Sequence, residues 1–235
     1  GYYYNADKII NIPIGILTGV GTVMLPRMTA LNKEGKLKEA KKLFLLSIEL
    51  IVVVSVAMAC GISAISKEFT PFFFGQGYDA CISLIIALSP VLVVKGLSEI
   101  ARMQYLIPNH KEKIFIESVF CGAGVNFVVN WILIVRLGAL GAVIGTMVAE
   151  LVSCVWQYTK MNKYISCLSA IFKSMIYVVF GIVMFGAVRI VSRWFNGGIV
   201  GLFFEILIGI VTYLAMCIVY WKITKSEIAS LIKLK

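Results

Sequence analysis

The sequence predicts an all-α protein, a polytopic bundle of about seven transmembrane helices, some of them bent. Three observations carry that reading. Of 235 residues, 60% are hydrophobic and 14% charged, against about 25% charged in soluble domains, and the mean hydropathy is +0.94. Seven apolar runs are each long enough to cross a hydrocarbon core of about 30 Å at 1.5 Å per residue. The connections between them are short, with no internal repeat or low-complexity linker, so 1–235 reads as a single transmembrane domain.

The runs follow in order. The first, 9–31, is interrupted by Pro13 and Pro26 and carries Gly15 and Gly19 as a G-x-x-x-G pair. The second, 43–65, has Glu49 as its one charge. The third, 81–106, starts almost wholly apolar and then takes on Lys95, Glu99 and Arg102. The fourth, 114–135, carries Asn126 and Asn130 one turn apart. The fifth, 137–158, places Gly141, Gly145 and Ala149 along one face, with Glu150 beside them. The sixth is 171–191, and the seventh, 199–221, contains Glu205. Small residues at every fourth position let helix backbones approach closely in lipid. Pro13, Pro26 and Pro90 are expected to bend their helices. The segment 32–42, NKEGKLKEAKK, reads as a basic stretch lying on the membrane surface.

Charge sets the orientation. Alternate connections hold Lys33, Lys36, Lys38, Lys41 and Lys42, then Arg102, Lys111 and Lys113, then Lys160, Lys163 and Lys173, then Lys222, Lys225, Lys233 and Lys235. The opposite side holds Lys67, Arg136, Arg189 and Arg193. The positive-inside rule puts the lysine-rich loops and the carboxy terminus in the cytoplasm, and Gly1 outside. Tyr2–Tyr4, Phe72–Phe74, Tyr78, Trp131, Trp194 and Phe195 fall at the outer level, and Tyr105, Trp156, Tyr158, Tyr220 and Trp221 at the inner level, as interfacial belts do. Topology and anionic membrane lipid account for the net charge of +10, so no nucleic-acid partner is expected. The chain begins with Gly1 and runs at once into a membrane segment, which reads as a fragment preceded by an odd number of helices.

Several function classes drop out. One histidine and six scattered cysteines offer neither a metal site nor a disulfide framework. No catalytic constellation and no phosphate-cradling loop is visible, so the chain is not expected to be an enzyme or to hold a cofactor.

The functional argument rests on intramembrane polar residues, because a charge at mid-bilayer costs roughly 2.5–3.5 kcal/mol and normally faces a cavity or a partner. Lys95 falls near the middle of its crossing, with Glu99 one turn on along the same face. Arg102 sits low enough to snorkel to the interface. Lys95 is therefore the first cavity candidate, with Glu99 as its expected partner. Lys8 and Arg27, at the two ends of the first run, are secondary candidates, and Glu150 is an acid that a cavity could hold. Glu49 and Glu205 read as protonated or paired with a base on a neighbouring helix. Asn126 and Asn130 read as residues that bond between helices.

The residues also resemble a family. GYYYNADKIINIP, ILTGVGTVMLPRMTAL with its basic loop, FFFGQGYDA and GVNFVVNWILIVRLGALGAVIGTMVAELV occur in the expected order. Together they resemble the oligosaccharide flippases of polysaccharide biosynthesis, O-antigen flippase-like members of the multidrug/oligosaccharidyl-lipid/polysaccharide superfamily. The resemblance implies the carboxy-terminal lobe of a two-lobed transporter of 12 to 14 helices. It implies alternating access that carries an undecaprenyl-pyrophosphate-linked oligosaccharide to the outer leaflet for surface polysaccharide assembly, including capsule or lipopolysaccharide. The energy source would be a proton or sodium gradient, with Glu99 a candidate for the coupling. Partners would be the lipid-linked oligosaccharide, membrane lipid and a polysaccharide polymerase. Lys95, with Lys8 and Arg27, would meet the anionic cargo. Two alternatives stay open: a drug/cation antiporter or peptidoglycan-precursor flippase of the same fold, and a non-transporting membrane scaffold of a glycan-assembly complex.

Overall fold

The computed structural model describes residues 1–194, 198–225 and 228. Phe195, Lys233 and Lys235, used above to place the outer aromatics and the basic tail, lie outside the described residues. All described secondary structure is helical. Among the described residues, seven spans are long and apolar enough to cross a membrane. They are built from α1 (Tyr2–Lys33), α2 (Leu37–Phe74), α3 (Asp79–Leu88) with α4 (Val91–Ala101), α5 (Glu112–Leu137), α6 (Ala139–Asn162), α7 (Leu168–Ser174) with α8 (Ile176–Val191), and α9 (Gly198–Thr224).

The helices overrun the apolar runs at both ends. The run expected at 43–65 sits inside a helix of 38 residues, Leu37–Phe74. Lys, Glu and Tyr are good or tolerated helix formers, and the helical hydrogen-bond ladder continues through the headgroup zone without regard to where apolarity stops. The surface segment expected at 32–42 is accordingly absorbed: α1 runs to Lys33, α2 starts at Leu37, and only a short turn with Gly35 at φ 70° separates them.

The prolines behave unequally. Helix α1 continues through both Pro13 and Pro26, where an interruption was expected. Ser89–Pro90 does break the third span: α3 ends at Leu88 and α4 begins at Val91. The third span then loosens into a π-helical turn, Arg102–Leu106. Such turns are rare and often sit at functional places.

Helix α2 is the hub. It packs against α1, α3, α4, α7, α8 and α9, and its Phe44, Ile48, Ile51 and Val52 are fully buried. Gly96 of α4 lies against Ile51 and Ser55, with room for nothing larger than a tightly packed methyl. Helices α5 and α6 form a hairpin around the single residue Gly138, whose φ of 56° and ψ of −127° suit glycine alone. The small face of α6 is used as expected. A Cβ on Gly141 would sit 2.5 Å from the Leu133 backbone of α5, and one on Gly145 would overlap Asn130. Gly15 and Gly19 differ: no described atom lies within 4 Å of a Cβ built on either. Their face of α1 is unpacked among the described residues.

Hairpin α5–α6 is attached through α6, which packs on α4, α3 and α1. Tyr158 donates to the Leu97 carbonyl at 3.0 Å, and Tyr3 and Thr146 share a 2.9 Å hydrogen bond. Helix α5 packs on α6 and the π turn and leaves Phe120, Trp131 and Val135 exposed, the last at 87%.

Candidate functional site

The polar residues of α4 converge on a cleft between α1, α4, α5 and α6. Lys95, Ser98, Glu99 and Arg102 occupy positions i, i+3, i+4 and i+7, one stripe of a helix. The adjoining flank of α4, with Gly96 and Ile100, is buried. Packing of Gly96 on α2 therefore aims the charged stripe away from the core. A cavity of about 290 Å³ is lined there by Ile14, Leu17 and Thr18 of α1, by the charged stripe, by Phe115 and Val119 of α5, and by Glu150. It shares Ser98, Phe115, Val119 and Glu150 with a larger cleft of about 1010 Å³ that runs along the hairpin past Asn126, Asn130, Thr146, Ser153 and Gln157.

Two ion pairs stand in this cleft. Lys95 Nζ lies 3.3 Å from Glu150 Oε1, linking α4 to α6, with the two side chains 31% and 30% exposed. Arg102 Nη2 lies 2.7 Å from Glu99 Oε2, with Nε also donating at 3.2 Å. The expected pairing of Glu99 with Lys95 is thus replaced. Glu99 is held by the guanidinium three residues on, whose planar fork suits a carboxylate better than an ammonium does. Lys95 turns instead to an acid 55 positions away. The guanidinium of Arg102 also sits 5.3 Å from the Phe115 ring. Arg102 is therefore a member of the cleft and not a snorkelling anchor. Gly21 of α1 makes room for this: a Cβ there would approach Glu99 Cγ to 3.1 Å.

Lys8 and Arg27 do not join the site. Lys8 is exposed and rests over the Tyr4 ring at 4.5 Å, and Arg27 is exposed near the other end of α1. Neither is in the wall of either cavity, because their positions on α1 fall on the unpacked face with Gly15 and Gly19.

Glu49 and Glu205 lie outside the walls of both cavities. Glu49 accepts a hydrogen bond from Tyr177 Oη, which in turn accepts from Trp221 Nε1 at 2.8 Å. Its partner is a phenol and not the expected base. Glu205 is buried, and its Oε2 has no partner among the described residues. The neighbouring base, Arg189, is held at 2.9 Å by Glu68. Asn130 donates to Asn126 at 2.9 Å within α5, so the pair bonds along one helix and not between two. Its own Oδ1 has no partner among the described residues.

Sequence reasoning missed the polar lining of the larger cleft. Gln157 donates to Ser118 Oγ, and Ser153 donates to the Ser118 carbonyl, both at 2.9 Å. Ser98 Oγ and Gln157 Oε1 are buried without partners among the described residues. The available signal was spacing: Thr146, Glu150, Ser153 and Gln157 follow the 3.6-residue stripe of α6.

Chemically, the cleft offers two cations and two anions in a wall of hydroxyls, amides and aromatic carbon. It is electrically compensated. An incoming anion would bind by taking Lys95 or Arg102 from its carboxylate.

Comparison with known proteins narrows the family. The family described as lipid II flippase MurJ matches residues 1–209. The Bacillus subtilis (strain 168) lipid II flippase MurJ is 23% identical over 161 residues, covering 67% of this chain and 29% of that protein. A solved structure, lipid II flippase MurJ in an inward closed conformation, superposes with a TM-score of 0.78 at 16% identity, covering 96% of this chain and 48% of that chain. The chain thus spans less than half the length of the relatives it matches. The O-antigen branch expected from sequence is replaced by a sister branch of the same superfamily, since the matching family is named for lipid II and not for a surface polysaccharide. This chain, with seven described spans long and apolar enough to cross a membrane, belongs to the family described as lipid II flippase MurJ.

Proposed function

We propose that the chain forms one lobe of a flippase for the lipid-linked peptidoglycan precursor lipid II. In this reading the cleft of Lys95, Glu99, Arg102 and Glu150 receives the cargo's charged head, and the lysine-rich end of the bundle is cytoplasmic. The observation that carries the proposal is the placement of two ion pairs, both partly open to water, in one cleft inside the membrane-spanning region. Family membership supports the cargo class. The peptidoglycan-precursor alternative is thereby favoured over the surface-polysaccharide reading, and no feature of the site supports a polysaccharide polymerase partner or a capsule or lipopolysaccharide role.

The geometry fits the task. A polyprenyl pyrophosphate carries negative charge that hydrocarbon does not solvate. Lys95 is tied by one ion pair at 3.3 Å, so a phosphate oxygen can displace Glu150 at modest cost. The freed carboxylate then faces the large cleft. The bidentate Glu99–Arg102 pair is firmer and holds its place while Lys95 exchanges partners. The exposed side of α5 leaves the larger cleft open for the complementary half of the transporter, so that rocking of the two halves would alternate its access.

Reconstitution tests this. The intact protein is placed in proteoliposomes with fluorescent lipid II or with an undecaprenyl-pyrophosphate oligosaccharide that lacks the peptide, and cargo reaching the opposite leaflet is measured. Preferential movement of lipid II is expected. Movement of the glycan lipid alone, or of neither, would sink the proposal.

A further inference from the structure

A second charged cavity lies away from the cleft. At the lysine-rich end, about 680 Å³ opens between the first turns of α2, helix α7 and the last turn of α9. Lys38, Lys41, Lys173 and Lys225 stand in its wall. None of these four has an ion pair with another described residue. Lys42 is also in the wall and has an interaction of its own. The acid there, Glu49, is engaged by Tyr177. Ser166 and Ser169 add exposed hydroxyls. One to two turns deeper, the wall becomes apolar through Leu45, Leu46 and Tyr220.

Two features specify the occupant. Four lysines converging from three elements in one concavity form a phosphate-attracting site, not a dispersed basic surface. The apolar floor begins about 10 Å below Lys38, two helical turns, which is where acyl chains start beneath a headgroup. A free anion would use the lysines and leave the apolar wall unmatched. Basic pockets between transmembrane helices on the cytoplasmic side hold anionic headgroups by this chemistry.

We propose that this cavity is a binding site for an anionic phospholipid of the adjacent leaflet, its phosphate held by Lys38, Lys41, Lys173 and Lys225 and its chains lying along Leu45, Leu46 and Tyr220. The site ties α2, α7 and α9 together at their lysine-rich ends and is separate from the cargo cleft.

The test uses the intact protein, exchanged into phosphatidylcholine nanodiscs and titrated with phosphatidylglycerol, with bound lipid counted by native mass spectrometry. The expected result is a preference for phosphatidylglycerol over phosphatidylcholine on the order of tenfold. That preference is lost in K38Q/K41Q/K173Q/K225Q, and kept both in the matching arginine variant and in K33Q/K113Q/K160Q/K163Q, which removes four lysines elsewhere at the same end. Equal loss in both glutamine variants would reduce the site to diffuse surface attraction and overturn the proposal. Equally tight binding of glycerophosphate or inorganic phosphate would overturn the lipid assignment. Displacement of phosphatidylglycerol by polyprenyl pyrophosphate would assign the pocket to the cargo route instead. If the glutamine variant does not fold, Trp221, next to Tyr220 of the wall, decides the matter in the intact protein with every other tryptophan replaced by Phe. Quenching by brominated phosphatidylglycerol but not by brominated phosphatidylcholine is expected, and equal quenching refutes the site.

Discussion

Lys95 of α4 and Glu150 of α6 meet at 3.3 Å inside the membrane-spanning region and are each about one-third open to the cleft. The contact does two things at once. It compensates a lysine that the bilayer would otherwise penalise, and it holds that lysine by a single ion pair that an anion can replace. The pair should therefore matter more to transport than to stability. Partly exposed pairs contribute about 0–1 kcal/mol. Lys95→Ala and Glu150→Ala are each expected to lower stability by about 1 kcal/mol, with a coupling of about 0.5 kcal/mol in the double variant. Thermal unfolding of all four species in detergent checks this.

The Glu99–Arg102 pair should respond differently. Glu99 is the less exposed partner, at 14%, and accepts from two guanidinium nitrogens. Arg102→Lys keeps the charge but loses the fork. A loss of about 1–2 kcal/mol is expected, comparable to removing a charge-assisted hydrogen bond, and is readable as a lower midpoint of unfolding.

Glycines separate packed from unpacked faces. Gly141→Ala must push α5 away, because a Cβ there meets the Leu133 backbone at 2.5 Å. A cost of about 1–3 kcal/mol is expected from overpacking. Gly15→Ala and Gly19→Ala meet nothing within 4 Å, so they should leave the unfolding midpoint unchanged or raise it slightly through helix propensity.

The Glu49–Tyr177–Trp221 chain joins α2, α8 and α9. Tyr177→Phe strands a carboxyl and an indole N–H together and should cost about 1–3 kcal/mol. Trp221→Phe breaks only the outer bond and should cost less. Denaturation of the two variants side by side tests the order.

The spans were legible because crossing a bilayer demands about 20 apolar residues, a signal that needs no partner to be read. The small face of α6 was legible for a similar reason: Gly141, Gly145 and Ala149 repeat with the helix. What the repeat could not say was whether a partner exists, and Gly15–Gly19 shows the same periodicity with none among the described residues. Site residues divided along the same line. Lys95, Glu99 and Glu150 stood out singly as costly intramembrane charges, but pairing is a tertiary fact. Lys95 chose an acid on another helix, and Glu99 chose the guanidinium three residues on. Arg189–Glu68 and Tyr177–Glu49 likewise join residues more than 100 positions apart. Family motifs located the superfamily, while the branch within it required whole-chain comparison.

The central claim is that Lys95 contacts the cargo's anionic head. Its most direct measurement is lipid II translocation by the intact protein carrying Lys95→Ala, Lys95→Arg or Glu150→Gln, reconstituted at matched amounts. At least about a tenfold loss is expected for Lys95→Ala, consistent with losing a charge-assisted contact of about 1.5–3 kcal/mol. With it come substantial recovery in Lys95→Arg and tighter cargo binding in Glu150→Gln, where the competing carboxylate is gone. Wild-type translocation by Lys95→Ala would contradict the claim.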